Sequence, residues 1–199
     1  MIIIPDVHGR TFWKEAVEKA NEGEKIVFLG DYVDPYSYQE GIDAGESFSN
    51  FTEILQYKEE HDAQVTLLLG NHDLHYVNST LNGGRRSWEY SDRISDILKE
   101  KTHLFRFAYY ADADKTYVFS HAGFQKGWLK EEYGYDGNNV GELLSLLDRM
   151  NDEMRDDIYQ FSKRLAYVSY IRGGMDSFGS PIWADVHEYT GEEPVTDGV

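Results

Sequence analysis

The sequence predicts an α/β fold on three observations. Short apolar runs of β-branched and aromatic residues recur along the chain, segments of helical spacing separate them, and each run empties into a loop where Asp, Asn or His stands beside a glycine. Open α/β sheets gather their ligands at the carboxyl ends of strands, so loops of this composition mark one edge of a sheet.

The elements follow in order. Ile2-Ile3-Ile4-Pro5 reads as the first strand, and Phe12, Trp13, Ala16, Val17 and Ala20 recur at helical spacing between Thr11 and Asn21, with Gly23 closing the segment. Lys25 to Leu29 completes a β-α-β unit, which predicts parallel strands. The unbroken apolar run Ile26-Val27-Phe28-Leu29 reads as a strand buried on both faces. Tyr36 to Gly45 is a polar, tyrosine-bearing loop. Phe48, Phe51, Ile54, Leu55 and Tyr57 then predict a helix over Ser47 to Glu60, with Ser47 or Ser49 as its cap, leading to a third strand at Val65 to Leu69.

Leu74 to Trp88 reads as a long loop, and Ile94, Ile97 and Leu98 predict an amphipathic helix over Ser91 to Lys99. Leu104 to Tyr110 and Lys115 to Ser120 flank the turn-rich Ala111-Asp112-Ala113-Asp114 and predict a hairpin. From Trp128 to Tyr167 the spacing of Leu143, Leu147, Met150, Met154, Ile158 and Phe161 predicts two or more helices. With no linker or repeat in evidence, the reading is one domain over 1–199 with a helical insertion around 128–167.

Composition bounds the chemistry. At 199 residues and 41% hydrophobic the chain can bury a sizeable core, and the absence of cysteine excludes disulfides, thiolate metal sites and cysteine nucleophiles. A formal charge of −17 argues against loose binding to nucleic acid, which is held mainly by Lys and Arg. It is compatible with a phosphate substrate where divalent cations reverse the local potential. The apolar start Met1-Ile2-Ile3-Ile4 is too short for a signal or a membrane span, so the expectation is a cytoplasmic protein without a membrane partner.

Four loops carry the candidate site: Asp6-Val7-His8-Gly9, Gly30-Asp31-Tyr32-Val33-Asp34, Gly70-Asn71-His72-Asp73 and Ser120-His121-Ala122-Gly123. Carboxylate, amide oxygen and imidazole form the mixed O/N donor set that suits Mn, Fe or Zn. Two such ions can clamp the attacking and departing oxygens of an in-line displacement at phosphorus. Holding both requires a bridging carboxylate, and Asp31 is the candidate.

In this order the motifs resemble those of the calcineurin-like metallophosphoesterases, whose pattern runs Asp-x-His, Gly-Asp-x-x-Asp, Gly-Asn-His-Asp/Glu, a later His and a final Gly-His element. The resemblance covers residues 6 to 123, and Ser120-His121-Ala122-Gly123 with Ser180-Pro181-Ile182-Trp183-Ala184-Asp185 resembles the protein-phosphatase branch. It implies two mixed β-sheets forming a sandwich flanked by helices. It also implies two divalent ions, Mn2+ first with Fe or Zn as alternatives: Asp6, His8 and Asp31 on one, Asp31, Asn71 and His121 on the other. His72 would be the proton donor or charge stabiliser, with Asp34 and Asp73 as neighbours that orient an imidazole. Two departures stand out. Pro35-Tyr36 replaces the Arg-Gly that supplies the branch's phosphate clamp, leaving Arg10, Arg85 and Arg86 as candidates, and no Gly-His dipeptide follows His121, which suggests a chain cut short before the last ligands.

The expected activity is hydrolysis of phosphate esters by a phosphomonoesterase related to serine/threonine protein phosphatases. Its substrate would be a phosphorylated small molecule, nucleotide or phosphoprotein. The alternatives are a diadenosine-tetraphosphate-type hydrolase, a phosphodiesterase, or a non-catalytic binding scaffold of the same fold. His61 and His103 are expected at the surface, and His75, just past the third motif, is likewise expected there; His187 follows Val186 rather than Gly and is a poor stand-in for the missing ligand.

Overall fold

The computed structural model describes residues 1–81, 83–112, 116–137 and 139–190. The chain divides into two compact units, Met1–Arg106 and a second from Phe107 onward. The α/β class with two sheets and flanking helices is the observed one. Among the described residues, the two strand directions are segregated: the first sheet is parallel throughout and the second antiparallel.

The first unit is built on strands β1 (Ile2–Ile4), β2 (Ile26–Phe28), β3 (Val65–Leu68) and β4 (Phe105–Arg106), paired in that order. Ile3 faces Val27, Val27 faces Thr66, and Leu67 faces Phe105. Helix α1 (Phe12–Glu18) makes the first crossover and is shorter than its apolar spacing suggested. Trp13 is its buried anchor and donates through Nε1 to Asn50 Oδ1 at 2.9 Å, whereas Phe12 is 39% exposed.

A single helical turn α2 (Ser37–Glu40) lies inside the polar loop after β2, and helix α3 (Ala44–Glu60) makes the second crossover. It starts before the expected Ser47, because Asp43 and Glu46 form a capping box: Glu46 N donates to Asp43 Oδ1 at 2.8 Å and Asp43 N to a Glu46 carboxylate at 3.0 Å. Phe48, Phe51, Ile54 and Leu55 are buried along one face, each contributing about 2 kcal/mol. At its far end the buried Lys58 donates to Val65 O at 2.9 Å and so fixes where β3 begins. The short helix α4 (Asn71–Leu74) follows β3 at once, and α5 (Ser91–Glu100) buries Ile94 and Leu98.

The stretch expected as one strand from Leu104 to Tyr110 is in fact two, in different sheets. The break at Phe107–Ala108 has a partner far along the chain: the buried Asn151 side chain accepts from Phe107 N at 2.8 Å and donates to Ala108 O at 2.9 Å, taking the peptide groups a strand would have used. In the second unit β5 (Tyr109–Asp112) and β6 (Thr116–Phe119) form the hairpin, with Tyr109 facing Phe119; of the predicted turn, Ala111 and Asp112 belong to β5, and Ala113 and Asp114 lie outside the described residues.

The expected helical stretch comprises α6 (Lys126–Tyr133), α7 (Val140–Asp156) and α8 (Ile158–Ser162). Leu143, Leu147, Met150 and Met154 are buried along α7, and Trp128 on α6 is fully buried with Nε1 donating to Arg164 O at 2.9 Å. No described helix is long and apolar enough to cross a membrane.

Candidate functional site

The loops after β1, β2 and β3 are knitted together by their main chains. Asp31 O accepts from Val7 N at 3.1 Å and His8 N at 2.7 Å, and Tyr32 O accepts from Gly9 N at 2.9 Å. A Cβ at Gly30 would collide with the backbone of Leu69 and Gly70, so only glycine permits this approach of the second loop to the third. Tyr32, fully buried, donates its hydroxyl to Leu68 O at 2.7 Å.

Three non-glycine residues adopt left-handed backbone here: His8 at φ 45°, Asp31 at φ 54° and Asp34 at φ 62°. Each such residue costs on the order of 1–3 kcal/mol and persists only where its surroundings over-determine it. All three belong to the motifs singled out from the sequence.

His8, Asp31 and His72 are brought together in the buried floor of this edge, each with a ligand atom within 4.8 Å of the others. His8 Nδ1 lies 2.9 Å from Val33 O, and a carbonyl only accepts, so the proton sits on Nδ1 and Nε2 presents a lone pair. That Nε2 is 3.6 Å from Asp31 Oδ2. Burial outweighs the hydrogen bond to Val33 and, with a smaller push from the Arg85 charge, lowers the imidazole to about 4, so it stays neutral. Burial drives Asp31 the other way, up to about 7, although its Oδ1 accepts from His72 N at 2.9 Å. An imidazole lone pair and a carboxyl oxygen side by side in a buried pocket supply the N/O donor set that suits Mn, Fe or Zn. The residues therefore fit a divalent ion. Asp6 lies on the exposed rim and Asn71 is buried at the first position of α4.

The two accessory acids differ from each other. Asp34 does orient an imidazole: its Oδ2 accepts from His72 Nδ1 at 2.9 Å. Burial alone would raise this carboxyl, but hydrogen bonds from His72, His75 and Tyr76 outweigh it and hold Asp34 well below the usual carboxylate range. Asp73 orients no imidazole through its hydrogen bonds. Its oxygens accept from Asp31 N at 2.7 Å, Gly70 N at 2.8 Å and Tyr32 N at 3.0 Å, which makes it a brace for the backbone of the second and third loops.

Of the three candidate arginines only Arg85 reaches this cluster. Its guanidinium stacks on Tyr36 at 3.5 Å from the ring centroid, Nε donates to Asp34 O at 3.2 Å, and Nη2 lies 3.5 Å from His8 Nε2. Arg10 instead pairs with Glu40 at 3.0 Å, and Arg86 donates to His75 O at 3.0 Å and to Ser91 Oγ.

His75, expected at the surface, is buried with Nε2 2.9 Å from Asp34 Oδ2. Tyr76 is buried too and donates its hydroxyl to Asp34 Oδ1. The signal for both was present in the sequence, since His72, His75 and Tyr76 fall at i, i+3 and i+4.

His121 belongs to the second unit, in the loop after β6. That loop is braced within its own unit. Gly123 N donates to Ser120 Oγ at 2.8 Å, Ala122 N to Pro181 O at 2.8 Å, and Tyr189 Oη to Ala122 O at 3.1 Å. The Ser180-Pro181 element singled out in the sequence thus shapes the turn that carries His121.

The catalytic subunit of serine/threonine-protein phosphatase 6 from Drosophila melanogaster is 25% identical over 105 residues, which cover 47% of this chain and 32% of the fly protein. Among solved structures, the cold-active protein-tyrosine phosphatase of a psychrophilic Shewanella superposes with a TM-score of 0.51 at 18% identity, covering 92% of this chain and 55% of that one. A point mutant of a cold-active protein tyrosine phosphatase gives 0.53 at 18% identity, over 91% and 55%. At that identity the likeness is one of fold, and the chain spans only about a third to a half of the length of these relatives. The model of the calcineurin-like phosphoesterases, by contrast, matches residues 1–192, nearly the whole sequence, and the chain belongs to that family.

Proposed function

We propose that the protein is a metal-dependent phosphomonoesterase related to serine/threonine protein phosphatases. The observation that carries this reading is the convergence of the His8 lone pair on the buried Asp31 carboxylate, with His72 beside them. Asp6, His8 and Asp31 would hold one divalent cation, and Asp31 and Asn71 would supply ligands for a second, with Mn2+ the first choice and Fe or Zn the alternatives; His121 is proposed as a metal ligand on the family pattern alone. Bound there, such ions supply charge neutralisation on the phosphoryl oxygens and a nucleophilic water at neutral pH.

The chain's own residues do the rest. His72 donates a proton to the leaving oxygen through Nε2, since Nδ1 is engaged by Asp34. Arg85 supplies the forked donor that Pro35-Tyr36 lacks at the family's clamp position, and stacking on Tyr36 pre-orders its guanidinium. Asp73 takes no part in the chemistry and holds Asp31 in place through its amide. The reading includes a cytoplasmic setting.

The test combines elemental analysis with Mn-dependent hydrolysis of 4-nitrophenyl phosphate, on this chain and on Asp31→Asn. Two ions per chain, with turnover lost in the variant, are the expected result. Metal binding without turnover in the parent chain would overturn the enzyme reading in favour of a binding scaffold.

A further inference from the structure

The hydrogen bonds of Asp34 extend beyond the pair it makes with His72. Its side chain is fully shielded from solvent and takes donors on both oxygens. Oδ2 accepts from His72 Nδ1 and lies 2.9 Å from His75 Nε2, while Oδ1 accepts from the Tyr76 hydroxyl and from Ser87 N at 2.9 Å. The tautomer of His75 is fixed from its other side. Gly83 N donates to His75 Nδ1 at 3.2 Å, so that nitrogen carries the lone pair and Nε2 carries the proton, toward Asp34. A side chain at Gly83 would run into the His75 ring, so the donor's approach depends on a glycine.

Asp34, His72 and His75 lie close enough together to resemble a cation site. Only His72 donates a hydrogen bond to Oδ2, however: the His75 N–H lies 2.9 Å from the same oxygen without the alignment of a hydrogen bond, and the other oxygen is taken by Tyr76 and Ser87. The carboxylate is faced by N–H and O–H groups on both oxygens, and neither ring turns a lone pair toward it. A carboxylate gripped by donors on both oxygens cannot turn, and the imidazole it accepts from cannot change tautomer without breaking that bond.

We propose that His75 and Tyr76 are positioning residues for His72, acting through Asp34. Tyr76 pins Oδ1 through its hydroxyl, and the His75 N–H keeps Oδ2 in place by close electrostatic approach, so that together they hold the His72 proton on Nδ1 and aim Nε2 at the leaving oxygen. This deepens the reading of His72 as the proton donor and rests on it for its catalytic consequence. Its structural consequence stands apart from activity.

The experiment uses Tyr76→Phe and His75→Gln beside the parent chain, with two readouts. In metal-free, 15N-histidine-labelled protein at pH 8, long-range proton–nitrogen correlation reports the His72 tautomer. A single Nδ1–H form is expected in the parent and a mixture in each variant, and an unchanged single form in both variants would overturn the proposal. In Mn-loaded protein, kcat is compared between phenyl phosphate and 4-nitrophenyl phosphate. The poor leaving group needs the proton, so its kcat should fall about tenfold or more, against less than about threefold for the activated ester, at unchanged KM and metal content. An equal loss on both substrates would mean a merely structural role. Should the parent hydrolyse neither ester, the activity reading fails while the tautomer readout still decides the positioning claim.

Discussion

Asp34 and Asp73 are the same residue type, equally buried, in loops that meet at the same sheet edge, yet they serve different ends. Asp73 is surrounded by the amides of Gly70, Asp31 and Tyr32, and Asp34 by the side chains of His72, His75 and Tyr76 together with the Ser87 amide. Main-chain donors are fixed by the path of the chain and cannot turn away when their acceptor is lost. Side-chain donors can. A buried acid held by backbone is thus a device for stability, and one held by imidazoles and a phenol is a device for orientation.

The largest effect should come from breaking the first of these. Asp73→Ala leaves three buried amides without their acceptor, each at about 1–3 kcal/mol, so the loss should exceed about 3 kcal/mol in a urea titration. A loss under about 1 kcal/mol would erase the distinction. Asp34→Asn should reverse the emphasis, with a smaller loss of stability and kcat lower by about a hundredfold. Its pH dependence has a definite sign. Because hydrogen bonds hold Asp34 below the ordinary carboxylate range, its contribution is present above the unfolded value of ~4 and is lost as pH falls through the lower folded value. The stability gap between the parent and Asp34→Asn should therefore close in acid.

The arginines sharpen the comparison at the smallest scale. Arg85 leans on the Asp34 carbonyl and the Tyr36 ring, so Arg85→Ala should raise KM for an aryl phosphate about tenfold. Arg10 spends its charge on the solvent-facing Glu40, and Arg10→Ala should stay within about twofold. Steady-state kinetics on the two variants separates them, and equal effects would remove Arg85 from the site.

What could be read from the sequence follows the same division between local and distant causes. The strands and their loops were legible because each apolar run and its polar terminus are contiguous, and His8, Asp31 and His72 meet in the first unit as their motifs implied. The start of α3 was misread because an amphipathic stripe locates a helix face, whereas Asp43 and Glu46 locate its end. The division of Leu104–Tyr110 between two sheets was not legible, since its cause is Asn151, far along the chain on α7. His75 and Tyr76 were overlooked although their spacing from His72 was in plain view, because that spacing becomes informative only once the residues after Asn71 are known to coil.

The left-handed backbone at Asp31 has a consequence for engineering. The peptide units on either side of it are anchored by partners that do not involve its side chain: the Asp73 carboxylate takes its amide, and the Val7 and His8 amides take its carbonyl. The position behaves as a socket whose own peptide frame is held without the plug, the side chain itself tying the His72 amide of the third loop. Exchanging the side chain for one of another donor type should leave the frame in place, which makes this position the natural one at which to vary the donor set of the proposed cation site.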